Sequence, residues 1–414
     1  MRILILTQYF PPEIGASQVR LAAMTRELKR LGHDVEVVTG LPNHPTGKIF
    51  AEYRGRWYLL DDWEGVPVHR VWLYPALGGG IKRLLNYLSF VGTSLIGLSR
   101  ARRPDFIFVE SPPLFLGIPG VYAAKRWGVP LVFNVADLWP DAVKDLGLMR
   151  SGPWLALAER IEAWCYQNAT FVNAVTEGIQ KTLIEKKKVP PEKILFLPNG
   201  ADTDLFQPRE PDKELAQELG LADKSVILYA GTIGYAHGLE VALEAMAIVR
   251  DKAPNATLVV IGHGSERMRL EALARQKGLD NVVFLPPRDP AYVARLFSVA
   301  VAGLVTAKDL PVNMGARPSK TFPIMASAKP VIYSGRGEGA LLVESARSGL
   351  VVPPEDPSAL AKAILFMLEH PEVAKELGAN GRKYVTENLS WNVLVQNWIK
   401  ELEARLEKRG ARNA

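Results

Sequence analysis

Residues Gly315-Ala316-Arg317-Pro318-Ser319-Lys320-Thr321-Phe322-Pro323-Ile324-Met325-Ala326 hold the chain's best candidate for an anion seat. A polar turn carrying Arg317 and Lys320 runs into apolar Phe322, Ile324, Met325 and Ala326, which predicts a loop entering a buried helix. Ser319 is the expected N-cap, and Pro318 stiffens the approach. The first N–H groups of such a helix have no internal partners and its dipole favours negative charge. With Arg317 and Lys320 beside them, a phosphate would be well held. The same residues also fit an ordinary capped helix with two solvated cations. Further candidates sit where short apolar runs end: the loop at Gly15, Asn43 and His44 in residues 42–47, Glu110, and Asp137 with Asp141. No zinc-ligand spacing is present, and no basic–aromatic pattern suggests nucleic acid.

These residues need strands and helices to position them. Arg2-Ile3-Leu4-Ile5-Leu6 is a continuous apolar run, as in a buried parallel strand, and it is too short for a signal peptide. A Pro/Gly loop, a helix with Leu21, Met24, Leu28 and Leu31, then a strand at 35–39 follow. This β-loop-α-β unit is that of a doubly wound fold. Similar strands are expected at 106–109, 131–135, 171–176 and 194–197. In such sheets ligands bind beyond the carboxyl ends of the strands, so the loops at Gly15, Asn43, Glu110 and Asp137 should line one wall of a cleft. After the turn 198–202 and a charged link at 207–224, the pattern starts again with Val226 to Ala230 and the loop Gly231-Thr232-Ile233-Gly234. Gly262-His263-Gly264 ends the next strand, and Trp391 to Leu406 reads as an amphipathic helix. The fold class is therefore α/β, two successive Rossmann-like halves, and their glycine-rich loops suggest a nucleotide-sugar site.

The 414 residues allow two or three domains with real cores. Net charge is +6, with cations clustered at Lys82, Arg83, Arg100, Arg102, Arg103, Lys125 and Arg126. Residues 84–98 are largely apolar but too short to span a bilayer, which takes about 20 residues. With cations at its ends, this helix either packs on the sheet or lies on a membrane surface. The one cysteine, Cys165, precludes an intrachain disulfide and fits a cytoplasmic protein, with Cys165 as core filler.

Six motifs in order carry a specific resemblance: residues 9–16, 42–47, Ser111-Pro112-Pro113, 137–141, 198–202 and Pro318-Ser319-Lys320. The chain resembles, nearly end to end, the retaining glycosyltransferases of family 4. Within them it looks most like the branch that builds bacterial O-antigen, capsule or colanic-acid-type polysaccharides. The resemblance implies the GT-B fold, two Rossmann-like parallel-sheet domains facing a central cleft, with a C-terminal helix crossing back. The expected parts are an acceptor-side domain at 1–202, a nucleotide-sugar-binding domain at 203–387 and the crossover helix at 388–414. It implies transfer of a sugar from a nucleotide-diphosphate sugar (UDP favoured over GDP) to a lipid-linked glycan, with no metal and no cofactor. The protein would be cytoplasmic, or peripheral on the inner face of the membrane through 82–103.

Residue by residue, the resemblance implies that Gly15 and Ala16 approach the diphosphate, while Gly231, Thr232, Gly262 and Gly264 cradle phosphate and flank the base. Pro318, Ser319 and Phe322 fall in the donor-binding segment. Lys320 would stabilise the departing diphosphate, helped by Arg317 or Arg336. Glu338 either contacts a sugar or caps its helix. Asp137 would orient the acceptor hydroxyl. His44, Glu110 and Asp141 would lie on the acceptor side, and Asp141 alternatively caps a helix. The chain also departs from the pattern. Gly315 and Pro323 stand where many members have two glutamates, and Thr232 and His237 where they have Arg and Lys. Neither glycine nor proline accepts a hydrogen bond through its side chain. The rival expectations are a catalytically impaired partner subunit that binds nucleotide sugar, and a nucleotide-sugar epimerase of the same fold.

Overall fold

The computed structural model describes residues 1–13, 15–44, 46–76, 80–141 and 152–413. Ile14 and Pro45, each within a motif above, lie outside the described residues. The chain divides into two compact units, residues 1–198 with 394–414, and residues 199–393.

The first unit is built on the runs β1 (Arg2–Leu6), β2 (Asp34–Gly40), β3 (Tyr58–Trp63), β4 (Val66–Val71), β5 (Phe106–Ser111), β6 (Leu131–Val135), β7 (Phe171–Ala174) and β8 (Ile194–Phe196). They lie in the order β3-β4-β2-β1-β5-β6-β7-β8, and only the β3–β4 pair is antiparallel. β1, β5 and β6 are buried on both faces almost throughout. That explains why their sequences are continuously apolar rather than alternating. The direction of winding reverses between β1 and β5, so the carboxyl ends of those two strands are the expected ligand position. Helix Ala16–Arg30 leaves β1 there, and Gly32 in a left-handed conformation closes it.

The terminal helix, Trp391–Asn413, runs past the expected end at Leu406, and its residues from 394 onward belong to this first unit. Its apolar stripe is Val395, Trp398, Ile399 and Leu402, all buried. Trp398 meets Phe106 and Phe108 edge-on at 6.3 and 5.8 Å between ring centroids. Cys165 is buried core as expected, and burial pushes its thiol up to about 12.

The second unit is a six-stranded all-parallel sheet: β9 (Ser225–Ala230), β10 (Ala256–Ile261), β11 (Val282–Leu285), β12 (Ala300–Thr306), β13 (Val331–Ser334) and β14 (Gly349–Val352). The order β11-β10-β9-β12-β13-β14 is the doubly wound one, with its switch between β9 and β12. Ile227, Tyr229, Leu258, Val260, Leu304 and Ile332 join Leu360 and Ile364 in its core. The stretch expected as a link folds into this unit. Asp212 caps the short helix Lys213–Glu218 and pairs with Arg295 at 2.7 Å. Helix Pro311–Met314 and helix Thr321–Ala326 follow β12, and helix Glu338–Ser345 follows β13.

Candidate functional site

In the second unit, the loops after β9, β10, β12 and β13 close on one another at the carboxyl ends of the strands. The N–H of Gly231 donates to the carbonyl of Ile261 (2.9 Å), and that of Ile233 to the carbonyl of His263 (2.8 Å). Gly262 has φ +148°, and a Cβ there would lie 1.9 Å from the Gly231 carbonyl oxygen. No side chain fits at that approach, so glycine is a geometric requirement rather than a preference. Asn313 ties the loop after β12 to the one after β9 by donating to the carbonyls of Ala236 (3.0 Å) and Lys308 (2.9 Å). Arg267 donates to the carbonyls of Gly262 and Leu285 and pairs with Glu271. Neither Arg267 nor Asn313 carries a sequence signal, because each acts on backbone carbonyls that only the folded loops bring near.

Lys320 lies among these loops with 8% of its surface exposed. Its stem passes Gly231, where an added Cβ would sit 3.2 Å from Lys320 Cε. Its ammonium rests 4.8 Å from the ring centroid of Tyr229, whose hydroxyl donates to the Thr232 carbonyl (2.7 Å). Among the described residues it has no ion pair and no hydrogen bond. Burial alone pulls its ammonium down from 10.5 to about 7. Burial and the Lys320 charge push His237 down to about 3, so that imidazole is neutral. An uncompensated, desolvated cation beside glycine loops is a strong attractor for a multivalent anion.

The neighbouring expectations fare differently. Arg317 and Glu338, both largely buried, form an ion pair with each other at 3.0 Å. Glu338 is the first residue of its helix, yet the cap residue is Gly337 and no side-chain cap bond forms. Ser319 does not cap either. It is exposed, and the cap position falls on Lys320, itself in a helical conformation. The N–H of Thr321 turns back to the Pro318 carbonyl (3.0 Å), so the chain enters the helix through a tight turn that leaves no N-cap geometry for Ser319. Phe322 is a core residue, 1% exposed, because the apolar side of this short helix packs on β12 and β13. Pro323 is the third residue of the helix, in the first turn, where an N–H has no partner to lose. Thr232 is exposed on the loop, Pro318 and Gly315 are half-buried, and Arg336 pairs on the surface with Asp309 at 3.3 Å.

In the first unit, Arg20 on the helix after Gly15 reaches Glu110 at the end of β5, with both side chains buried. Glu110 also accepts from Asn134 Nδ2 (2.7 Å), Asn134 Oδ1 from Asn173 Nδ2 (2.6 Å), and Asn173 Oδ1 from Trp398 Nε1 (3.0 Å). Glu110 and Asn134 are partners in the β5–β6 register, and Asn134 and Asn173 in the β6–β7 register. One rung of buried polar groups thus crosses three strands. This corrects the acceptor-side role of Glu110: it is fully buried, and its carboxylate is engaged by Arg20 and Asn134. Burial pushes the Glu110 carboxyl up, opposed by Arg20 and Asn134. Asp137 reaches solvent, and the protein mass around it lifts its carboxyl while Arg20 acts against that lift. Asp141 pairs with Lys187 at 2.9 Å, and Lys187 also pairs with Glu162 at 2.8 Å, which makes Asp141 part of a structural cluster.

Gly15 directly precedes the first residue of its helix, Ala16. Glu13 was not singled out from sequence. Its buried carboxylate accepts from the N–H groups of Asn43 and His44, both at 2.8 Å, and so fixes that loop. Burial pushes it up to about 7 against those bonds. His44 stands edge-on to Tyr9 at 6.0 Å.

A family model described as a glycosyl transferase 4-like domain matches residues 15–200, and one described as glycosyl transferases group 1 matches residues 211–384. The chain is 30% identical over 392 residues to WcaI of Escherichia coli (strain K12), a protein named for glycosyl transfer in colanic acid biosynthesis; the match covers 91% of this chain and 95% of that one. It is 27% identical over 395 residues to a D-inositol 3-phosphate glycosyltransferase of Jonesia denitrificans, covering 92% and 89%. The solved structure of Anabaena HepE in complex with UDP and glucose superposes with a TM-score of 0.72 at 19% identity, covering 97% of this chain and 99% of that one.

Proposed function

The chain belongs to the glycosyltransferases of family 4 and carries their GT-B fold, and from that premise we propose that it is a retaining enzyme acting on a UDP-sugar. The acceptor is a hydroxyl of a lipid-linked glycan in the synthesis of a cell-surface polysaccharide of the O-antigen, capsule or colanic-acid type. The reaction takes place on the cytoplasmic side of the membrane. The observation that carries this reading is Lys320, a buried ammonium without an anionic partner among the described residues, at the switch point of the second sheet.

In this mechanism the diphosphate of the donor is the missing anion. Charge builds on it as the glycosidic bond breaks, and a preorganised cation in a desolvated site stabilises that charge more than water does. Gly231, Gly262 and Gly264 let backbone approach the phosphates, and neutral His237 adds no competing charge. Arg317 acts through its pair with Glu338, holding the 315–320 turn against the 338–345 helix rather than meeting phosphate directly. Asp137 orients the acceptor hydroxyl, with Arg20 setting its electrostatics. The sugar is transferred on the face that the diphosphate leaves, and a leaving phosphate oxygen takes the acceptor's proton. This chemistry calls for no metal. UDP is favoured because HepE holds UDP, and a polysaccharide acceptor because of the colanic-acid relative.

The test is a titration with UDP against GDP, followed by transfer assays with UDP-, GDP- and dTDP-sugars and lipid-linked acceptors. Binding of UDP with retention of anomeric configuration in the product is expected. Absence of both binding and transfer across the panel would sink the proposal. Transfer to inositol phosphate in place of glycan would overturn its acceptor.

A further inference from the structure

Trp57 and Trp72 form a pair of indoles at one edge of the first sheet, their ring centroids 4.8 Å apart. Strand register puts them together. β3 and β4 are antiparallel with Tyr58 opposite Val71, so Trp57 and Trp72 face each other one step further on. There the Trp72 N–H donates to the Trp57 carbonyl (2.9 Å). Thr93, on helix Ile81–Arg100, donates to the Trp72 carbonyl (2.5 Å), and Trp72 is half-buried. Trp57 lies against it yet remains 64% exposed. The stack covers part of the Trp57 indole and leaves most of it in water.

This pair stands on the ligand side of the sheet. β4 runs parallel to β2, so the carboxyl ends of both strands point the same way, and Asn43 and His44 follow the end of β2. Hydrogen bonds tie the two places together. The Phe50 N–H donates to the Pro42 carbonyl (2.9 Å), and Arg54 Nε to the Ile49 carbonyl (3.1 Å). Arg70, 1% exposed, pairs with Asp61 (2.6 Å) and donates to the Pro11 carbonyl (2.6 Å). Asp61 also accepts from the Tyr53 hydroxyl (3.3 Å). Glu13, two residues beyond Pro11, holds the N–H groups of Asn43 and His44. The His44 loop, the turn Ala51–Tyr53 and the two indoles are therefore one braced rim.

The chemistry around Trp57 selects its occupant. Glu52, Arg54 and Arg56, its neighbours in the chain, are all exposed. Carboxylate and guanidinium groups offer paired acceptors and donors that match adjacent hydroxyls. An indole face meets the apolar C–H side of a pyranose ring and takes both out of water. Charge of both signs disfavours an anionic bilayer, and the centre of a protein interface is depleted of charge.

We propose that Trp57, backed by Trp72, is a stacking platform for a sugar ring of the acceptor glycan other than the ring that reacts. The inference rests on the glycan acceptor proposed above and gives it a second point of attachment. A ring held on this rim sets the chain end beside the His44 loop, and glycans too short to reach the rim bind more weakly. Stacking reads a C–H face rather than particular hydroxyls, so the platform tolerates different sugars.

The experiment is a saturation-transfer NMR titration of the full chain with short lipid-free oligosaccharides released from colanic acid, and with chitohexaose as a second probe. Wild type is expected to bind with a Kd of about 1 mM or tighter. Trp57→Ala should weaken binding at least about tenfold, and Trp57→Tyr, which keeps an aromatic face, by about threefold or less. UDP-glucose affinity and Tm should stay at wild-type values in both variants, which shows that they are folded. Failure of both probes to bind, or wild-type binding by Trp57→Ala, would overturn the proposal. So would attachment to phosphatidylglycerol vesicles, or a dimer in light scattering, that Trp57→Ala abolishes while glycan binding persists. Glycan binding that Trp57→Ala removes, in a protein that transfers no sugar, leaves the platform standing and removes the transferase reading. Transfer whose acceptor KM is unchanged in Trp57→Ala does the reverse.

Discussion

Replacing Lys320 by methionine keeps the length of the side chain and removes its charge. In the ligand-free protein, burial pulls this ammonium from 10.5 to about 7. A shift of that size corresponds to about 5 kcal/mol against the charged form. The unfolded chain holds the proton up to its ordinary value and the folded one only to the lower value. The unfolded state therefore binds more protons across that window, and stability rises with pH through it. Below the folded value the penalty is complete, so at neutral pH and below Lys320→Met should be the more stable protein by on the order of 2–5 kcal/mol, converging on wild type above about pH 10.5. Its Tm should rise by several degrees. Donor affinity moves the other way. A diphosphate restores the charged form, and losing that pair costs about 2–4 kcal/mol, roughly 30- to 1,000-fold in Kd. Wild-type affinity should be flat below about pH 7 and then fall by up to about tenfold per pH unit, because binding must take up a proton there. Calorimetric titration with UDP-glucose across that range, beside thermal scans of ligand-free protein, measures both effects. UDP-glucose is preferable to UDP, whose terminal phosphate itself titrates near about pH 6. A flat wild-type profile above neutrality, or a methionine variant that binds UDP-glucose as wild type does, would refute the reasoning.

Gly262→Ala places a methyl group against the Gly231 carbonyl and should weaken UDP-glucose binding by at least about tenfold while β9 and β10 stay folded, as circular dichroism would show. Asn173→Leu leaves Asn134 Oδ1 and the Trp398 indole N–H without partners, and should lower the urea unfolding free energy of the first unit by about 2–4 kcal/mol. Glu13 sits at about 7 in the fold against an ordinary 4.5, so the folded state keeps a proton that the unfolded chain sheds. Its contribution to stability is therefore fully present below the ordinary value and is lost as pH rises to the folded one, and Glu13→Gln should flatten that part of a pH–Tm curve. Pro323→Glu, in a first turn that needs no N–H bond, should change Tm little and tighten donor binding by roughly tenfold, read by the same UDP-glucose titration.

Much of the architecture was legible in the chain order of its residues. Runs such as Arg2–Leu6, Phe106–Ser111 and Ser225–Ala230 are apolar without alternation because both faces of a parallel strand are covered. Strand, glycine loop and helix repeat in that order, which locates the loops at strand ends before any coordinates exist. Lys320 stood out as a cation in such a loop. Ser319 does not cap as expected, because the tight turn at Pro318 sets how the chain enters the helix, whereas Phe322 is buried as its apolar run implies.

What pattern left open was partnership. Whether Arg317 meets a phosphate or Glu338 depends on where the start of the 338–345 helix comes to rest. The rung Glu110–Asn134–Asn173–Trp398 joins residues from β5, β6, β7 and the terminal helix, and exists only because strand register aligns them. The outward leucines of residues 81–100 carry the same letters as core leucines, and only burial tells them apart. Local sequence fixes periodicity and backbone freedom, since those act between near neighbours along the chain. Charge compensation, desolvation and exposure are set by groups distant in sequence, so the property that makes Lys320 an anion seat, a buried charge with no partner among the described residues, belongs to the tertiary structure alone.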